Sequence, residues 1–457
     1  MTRRSKRPFR RVALVMAIGL LAGSPAFGYN LEQAYRDALS HDADLNSARA
    51  SLEISRFRVP QALSQLRPSA SASAGINQQY VDTNVSPSRD YTSQSYAISL
   101  AYPLLARQEV EAYEQSKLQF SIAEAQFLVA QQDLILRVAE AYFDVLAAEN
   151  NLFTIQAEKR AIAEQLAAAK RNFEVGTATI TDQQEAQARY DLTVARELAA
   201  FNDLDIRRAA LATLTGKPVG DVADLREGLQ LKQPEPTREQ AWTERARESS
   251  LIVQQALLGA EIARREIDRQ RYARYPSIDL VGQVAHSRNA SASLVGVHSN
   301  SASIGVQLGI PLYTGGAIEA RVQEAQANLD KINADLEVAR RQIEQGARQA
   351  YLGVVSGLGQ VQALEAAEKS SKLALDSNRL GYQVGVRINI DVLNAQQQLF
   401  STQRDLARAR YDVLLNSLRL KSTTGELSEQ DMRQFTLLLT ETRANKPEPR
   451  VGATTEK

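Results

Sequence analysis

The amino-acid sequence predicts a mainly α-helical chain with a small β part, in which long coiled-coil helix pairs and short β-strands occur twice. Three observations indicate this fold class. A pattern of residues recurs after roughly 208 positions, long stretches lack glycine and proline, and two alternating segments each end at a proline. Uninterrupted helical patterns much longer than about 25 residues are typical of coiled coils or helical tubes rather than of globular cores.

The first residues have the pattern of a secretory signal peptide. Basic residues from Arg3 to Arg11 precede an apolar stretch over residues 12–22, and small residues at the exit predict cleavage before Tyr29. A signal anchor is the alternative interpretation, but it needs a longer apolar run. Export of a chain that has no cysteine favours a bacterial envelope protein.

The remainder of the chain is a duplication. Residues 96–104 match residues 304–312, and residues 173–176 match residues 382–385. Glycine and proline mark a connector over residues 225–236. Each copy is predicted to contain a helix, a β-hairpin, a long helix and a further helix. The predicted divisions are a signal peptide at 1–28, a first repeat at 29–229, a second repeat at 230–440 and a disordered tail at 441–457.

The longest stretch without glycine or proline lies between Pro103 and Gly176. A continuous helix of that length spans about 106 Å. The second copy contains glycines there but no proline, and its apolar residues keep the four-three spacing of a coiled-coil seam. Gly353 and Gly357 resemble a membrane-helix packing motif, but their polar neighbours favour close packing within a bundle. The seam residues are Ile318, Val322, Ala325, Leu329, Ile332, Leu336, Ala339 and Ile343.

The segments before the two prolines have a period of two residues instead. Ile304, Val306 and Leu308 alternate with Gly305 and Gln307, which gives one apolar face and one small or polar face. Each copy thus offers one hairpin of strands about 10 residues long, which is the length and pattern of outer-membrane barrel strands. The four predicted strands lie near residues 70–81, 95–102, 277–285 and 303–310.

Four strands are too few to seal a membrane pore alone. A sheet in hydrocarbon has to close on itself, and the smallest such barrels have about eight strands. Two chains would supply 8 strands, whereas a bore for large cargo favours three chains and 12 strands. The alternative is a soluble protein whose strands form an ordinary sheet.

Composition excludes several other classes of protein. Of the 54 basic residues, six lie within the predicted signal peptide, where there is no acid, so the remainder has 48 basic and 53 acidic residues. This balance argues against nucleic acid as a partner. The chain has no cysteine and three histidines, and it has no phosphate loop, serine elbow or metalloprotease helix. We therefore expect no catalytic residue, no metal site and no cofactor.

Several segments together resemble the TolC family of outer-membrane channel proteins. They are the residues 175–182 and 382–393 at the two predicted helix tips, with residues 141–146 and 428–431. The resemblance covers the mature chain from Leu31 to about residue 439. It implies a homotrimer whose α-helical barrel crosses the periplasm of a Gram-negative bacterium and whose shared 12-stranded β-barrel contacts outer-membrane lipid.

The resemblance also implies a function. Members of the family are exit ducts for drugs or secreted polypeptides, and they do no chemistry themselves. They connect to an inner-membrane pump or ABC transporter through a periplasmic adaptor, also called a membrane fusion protein. The unlipidated branch of the family, favoured here because cysteine is absent, includes both drug efflux and type I protein secretion. A soluble periplasmic coiled-coil scaffold without a pore is the alternative.

The resemblance places a gate at the predicted tips. Residues equivalent to Thr181, Asp182, Tyr382 and Arg387 tie the tip helices together by hydrogen bonds and charge pairs. A surface pair of this kind is worth about 0.2–1 kcal/mol, so three copies form a latch that an adaptor can release. The alternative for these four residues and for Asp391 is plain helix capping and surface ion pairing, since Asp182 and Asp391 lie where helices begin.

Asp391 resembles the residue that forms an acidic ring at the constriction. Three carboxylates on one axis repel each other and attract cations. Asn394 stands where a second acidic ring is expected, so we expect weaker cation selectivity than in a channel with two rings. Gly176 and Gly385 are predicted to close the turns between the long and short helices, and by resemblance these turns also receive the adaptor.

Two histidines, His286 and His298, flank a loop that has no Asp, Glu, Lys or Arg from Asn289 onward, and they are close enough in sequence to meet across a hairpin. Lone imidazoles in such positions usually hold no ligand.

Overall fold

The computed structural model describes residues 29–84, 86–226 and 228–439. The predicted signal peptide and disordered tail lie outside the described residues and stay predictions. The described part of the chain contains nine α-helices and one four-stranded sheet. The order of two helices, two strands and two helices occurs twice, and α9 follows the second copy. The elements are α1 (Leu31–His41), α2 (Ala43–Ser64), β1 (Ser69–Thr83), β2 (Ser86–Leu105), α3 (Arg107–Glu174), α4 (Ile180–Thr215), α5 (Glu239–Ser249), α6 (Leu251–Tyr272), β3 (Ser277–Arg288), β4 (His298–Gly309), α7 (Ala317–Gln383), α8 (Asn389–Thr423) and α9 (Glu429–Thr436).

Two very long helices determine the shape of the chain. Helix α3 has 68 residues and α7 has 67, so each is about 100 Å long. The shorter helix α4 packs along α3, and α8 packs along α7. Because α3 also contacts α8, the two helix pairs lie side by side. The predicted coiled-coil pairs are therefore present in both copies.

Helix α7 is continuous through its glycines. Two of these glycines, Gly353 and Gly357, face α8. A β-carbon at Gly357 would lie 2.7 Å from a methyl group of Val413, and one at Gly353 would lie 3.0 Å from the Asn416 side chain. Glycine at these positions lets the two backbones approach closely. The interpretation of Gly353 and Gly357 as bundle-packing residues is confirmed.

The main hydrophobic core surrounds the middle of α3 and joins both copies. Tyr142 is fully buried there, and its hydroxyl lies 3.0 Å from the carbonyl oxygen of Tyr29 and 2.8 Å from that of Ala223. Phe143 stacks on Tyr411 of α8 with ring centroids 5.8 Å apart. The start of the described chain and the segment just before the connector are thus attached to α3. Other core members are Leu31, Leu45, Leu134, Leu146, Leu211, Leu418 and Met432.

A buried ion pair attaches α2 to α3. The carboxylate of Asp42 accepts two hydrogen bonds from the Arg137 guanidinium, at 3.0 and 3.1 Å, and one from the backbone N–H of Leu45 at 2.7 Å. Burial disfavours the charged form of Asp42, but these hydrogen bonds outweigh it and hold the pKa of Asp42 below its ordinary value of 3.8.

We expect Asp42→Asn to lower the free energy of unfolding by about 1–3 kcal/mol at pH 7, because charge-assisted hydrogen bonds are lost. The folded-state pKa is depressed, so this stabilisation is present above the unfolded pKa and is lost as the pH falls through the folded pKa. Urea denaturation at pH 7 and near pH 3 measures both effects. Asp133→Asn is the matched control, because Asp133 pairs with the same Arg137 from an exposed position and should cost below about 1 kcal/mol. Equal effects of the two variants would contradict the prediction.

The sheet has the order β1-β2-β3-β4, and every pairing is antiparallel. Within the described residues, β1 and β4 are paired on one side only. The pairing register gives the sheet two unlike faces, which we call the apolar face and the polar face. The apolar face carries Ala72, Ile76, Ile98, Leu100, Leu280, Val284, Ile304, Val306 and Leu308. The polar face carries Ser71, Ser73, Asn77, Ser95, Ser99, Gln283, Ser303 and Gln307.

The strand length predicted from the apolar alternation is too short. Strands β1 and β2 have 15 and 20 residues, and β3 and β4 have 12 each. The apolar alternation ends earlier than the backbone hydrogen bonds, which continue through the polar residues on both sides of Asp90. Pro103 lies inside β2, beyond the last residue of β2 that pairs with β1. The lack of an N–H group in proline therefore removes no hydrogen bond between β2 and β1.

Candidate functional site

The chain turns between its long and short helices at two tips, residues 175–179 and 384–388. Gly176 and Gly385 take left-handed conformations there, with φ of 75° and 80°. The N–H of Thr177 donates to the carbonyl oxygen of Asn172, and that of Val386 donates to Gly381, which satisfies the last carbonyl groups of each long helix. The predicted role of the two glycines in closing the turns is confirmed.

Asp182 lies in the first turn of α4 and caps it. The backbone N–H of Thr179 donates to its carboxylate at 3.0 Å, and the N–H of Asp182 donates to the Thr179 hydroxyl at 3.2 Å. This reciprocal pair is a capping box. Thr181 next to it is exposed. Within one chain Asp182 therefore has the capping role that the alternative interpretation assigned to it.

Arg387, Asp391 and Asn394 come together at the second tip. A guanidinium nitrogen of Arg387 lies 3.6 Å from a carboxylate oxygen of Asp391, and the three side chains line one groove of about 480 Å³ between α7 and α8. The side chain of Arg387 is 58% exposed and that of Asp391 33%, so water weakens this pair. Gly381 makes room for it, since a β-carbon there would lie 2.7 Å from Cγ of Arg387.

Polar contacts join the two tips to each other. The amide of Asn172 on α3 donates to the Tyr382 hydroxyl on α7 at 3.3 Å. Asn389, which is fully buried, donates to the carbonyl oxygen of Asp182 at 3.3 Å and accepts from the Gln165 amide. Asn389 escaped the sequence analysis because an asparagine at the start of a helix looks like an ordinary capping residue.

Arg189 on α4 was also missed. Its guanidinium donates to Oδ1 of Asn394 at 3.0 Å and to the side chain of Gln397, both on α8. The position expected to hold a second acidic ring is therefore occupied by a neutral amide with a cation beside it. No spacing in the sequence signals this contact, because its partners lie in different copies of the repeat.

A buried carboxylate lies farther along the same helices. Glu158 of α3 is 3% exposed at its side chain and lies 3.5 Å from Arg196 of α4 and 3.5 Å from Arg404 of α8. Glu158 therefore links α3 to α4, its partner in the first helix pair, and to α8 of the second pair. The hydrophobic cluster of Ile162 and Leu393 packs between this link and the tips.

Two further kinds of feature, a metal site and a membrane-spanning helix, are absent from the described residues. No group of three or more metal-ligating side chains lies together among residues 29–84, 86–226 and 228–439. None of the helices in that part has the length and apolarity that a membrane-spanning helix requires.

The sequence model of the family described as "Outer membrane efflux protein" matches this chain twice, over residues 34–217 and 242–426. The chain belongs to the outer membrane efflux protein family. It is 32% identical to outer membrane protein TolC of Vibrio cholerae over 91% of this chain and 95% of that protein. It is 29% identical to the alkaline protease secretion protein AprF of Pseudomonas aeruginosa over 90% of this chain and 88% of the relative.

Solved structures have the same fold. The outer membrane protein VceC of Vibrio cholerae has a TM-score of 0.75 at 18% identity, covering 86% of this chain and 96% of that one. The open state of the MtrE outer membrane channel of Neisseria gonorrhoeae has a TM-score of 0.72 at 22% identity, covering 88% and 90%.

These similarities confirm the predicted fold class, the TolC-family resemblance and the outer-membrane location with helices that extend into the periplasm. This efflux family member is an exit duct of the outer membrane, and the alternative of a soluble scaffold without a pore is not supported. Channels of this family are trimers that act with an adaptor and an inner-membrane pump. The family is one of channels, not of enzymes.

Proposed function

We propose that three copies of this chain form one continuous duct, with 12 strands in the outer membrane and a helical tube below them. The four-stranded sheet carries the proposal. It has one apolar face and one polar face, and its outer strands β1 and β4 are each paired on one side only within the described residues. Pairing β4 of one copy with β1 of the next removes these edges, as a sheet in lipid requires.

The gate of this duct is assigned to the tips. The Arg387 and Asp391 pair, repeated three times, forms the latch, and Asp391 supplies the acidic ring. Asn394 lies in the same groove and lowers the charge of the constriction. Tyr382 and Asp182 belong to the contacts that hold the two tips of one chain against each other.

Thr181 is exposed beside Asp182, and we assign it a contact with a neighbouring copy in the trimer.

The tip turns at Gly176 and Gly385 are assigned to the periplasmic adaptor. Val175, Val384 and Val386 beside them are between 65% and 76% exposed, which is unusual for apolar side chains in contact with water. An adaptor that covers these valines could pull the tips apart and release the latch. Drugs or secreted polypeptides from an inner-membrane pump or ABC transporter then pass through the duct.

We expect the protein to fractionate with the outer membrane, to require detergent for extraction and to have three times the mass of one chain by light scattering. In planar bilayers it should conduct ions, since a 12-stranded barrel encloses a bore that 8 strands do not. A monomer that is soluble without detergent would contradict the proposal, and a dimer would contradict the 12-stranded barrel.

A further inference from the structure

The apolar face of the sheet ends in a small cluster of basic side chains. Arg288 and His286 lie on β3, and His298 lies on β4 directly opposite Arg288. The imidazole ring centroids of His286 and His298 are 6.4 Å apart, and the ring planes make an angle of 29°. We call these three residues the basic patch.

The basic patch lies at the end of the sheet that is farthest from the helices. The chain enters β1 from α2 and β3 from α6, and it leaves β2 into α3 and β4 into α7. The α-helices that border the sheet therefore all adjoin one end of it, and the two hairpin connections adjoin the other. With the helices in the periplasm, the hairpin end faces the outside of the cell.

The height of the basic patch matches the border of the membrane. Ile278 of β3 opposes Leu308 at the helix end of the apolar face, and Arg288 is the last residue of the same strand. At about 3.4 Å per residue and a strand tilt of about 40°, Arg288 lies roughly 26 Å above Ile278. An outer-membrane barrel has an apolar band about 25 Å tall, so the basic patch reaches the level of the outer-leaflet headgroups.

The surroundings of the basic patch favour an anion. Among the described residues no carboxylate pairs with Arg288, whose neighbour on β2 is the uncharged Gln94. The nearest acid on the same face of β2 is Asp90, four residues farther along and about 14 Å away at strand spacing. Tyr96 lies opposite His286, as in the aromatic girdles that flank the apolar band.

The chemistry of the three side chains fits a phosphate. The Arg288 guanidinium can bind phosphate oxygens through two parallel hydrogen bonds. Nδ1 of His286 lies 2.6 Å from the amide oxygen of Asn300, which leaves Nε2 for a second partner. In the imidazolium form of a histidine both ring nitrogens donate, which suits a ligand whose oxygens only accept.

We propose that the basic patch binds the phosphorylated headgroup of an outer-leaflet lipid, with three such sites around the trimer. The acyl chains of that lipid cover the apolar face below Val284 and Ile304, so headgroup and chains are bound by one continuous surface. The inference rests on the outer-membrane location and on the proposed trimeric barrel, and not on the gate assigned to the tips.

The test uses the full-length trimer in an uncharged detergent, incubated with lipopolysaccharide and freed of excess by gel filtration. Lipid phosphate retained per trimer is then measured. We expect the triple variant H286Q/R288Q/H298Q to retain about tenfold less than the wild type, because charge-assisted bonds to phosphate are lost. Lys331→Gln is the control, since Lys331 is an exposed cation on α7, outside the sheet. It should retain as much as the wild type.

Two further probes distinguish the sources of phosphate. The wild type should retain dephosphorylated lipopolysaccharide weakly. The amount should be about the same as the amount of intact lipopolysaccharide that the triple variant retains. Inorganic phosphate alone should show no saturable binding, and saturable binding that competes with the lipid would mean a site for free anions instead. Unchanged retention in the triple variant would overturn the proposal. If that variant gives no heat-resistant trimer, Arg288→Gln alone, with an expected loss of about threefold, decides the question.

Discussion

Replacing Arg387 and Asp391 together by alanine is expected to raise the single-channel conductance of the duct in planar bilayers. Each pair is exposed and worth about 0.2–1 kcal/mol, so three copies that break together contribute about 0.6–3 kcal/mol to closure. This corresponds to a factor of about 3 to 160 in the ratio of open to closed channels. The loss of three carboxylates at the constriction should also weaken block by a trivalent cation.

The chain offers a matched control for this experiment. Lys331 and Asp335 form an ion pair with the same four-residue spacing on the exposed surface of α7, 2.7 Å apart and far from the tips. The variant K331A/D335A removes the same two charges per chain and should leave conductance and block unchanged. Equal conductance in wild type and R387A/D391A would remove both residues from the gate, and an equal increase in the control would show a general effect of surface charge.

The long-range architecture was predictable because it rests on local patterns. A helix without breakers stays a helix, and the alternation around Ile304 fixes which face of β4 is apolar. The sequence predicts that Gly357 packs closely against another helix, since small residues at that spacing allow helices to approach. It does not predict that the partner is Val413. The strand ends were misjudged at Asp90 and at Pro103, because hydrogen bonding to a neighbouring strand extends past the apolar residues.

The tip contacts were only partly predictable. Arg387 and Asp391 are only four residues apart in the sequence, which makes their pairing foreseeable, although Arg387 lies in the tip turn and only Asp391 lies on α8. Arg189 and Asn394 are on different copies of the repeat, and only the packing of α4 against α8 brings them together. The same holds for the buried Glu158, which looks like any surface glutamate in the sequence and meets Arg404 only in the folded chain.

The largest effect on stability is expected at Tyr142. Tyr142→Ala should lower the free energy of unfolding by about 3–5 kcal/mol, because it leaves a cavity in the main core. The variant also removes the hydroxyl donor 2.8 Å from the carbonyl oxygen of Ala223, whereas the carbonyl oxygen of Tyr29 still accepts from the backbone N–H of Ala223. These two segments are adjacent, since Tyr29 forms a parallel bridge with Val222, so loss of the hydroxyl loosens both from α3.

Tyr142→Phe separates the two contributions, because it keeps the ring and removes only the hydroxyl. We expect it to cost about 1–3 kcal/mol, the cost of leaving a buried polar group unsatisfied. Urea denaturation of the detergent-solubilised protein, followed by helical circular dichroism, measures both variants against the wild type. If Tyr142→Phe were as stable as the wild type, the hydroxyl would not hold the segment around Ala223. If it were as unstable as Tyr142→Ala, the hydrogen bonds rather than ring packing would dominate this part of the core, because deletion of the ring would then add nothing to their loss.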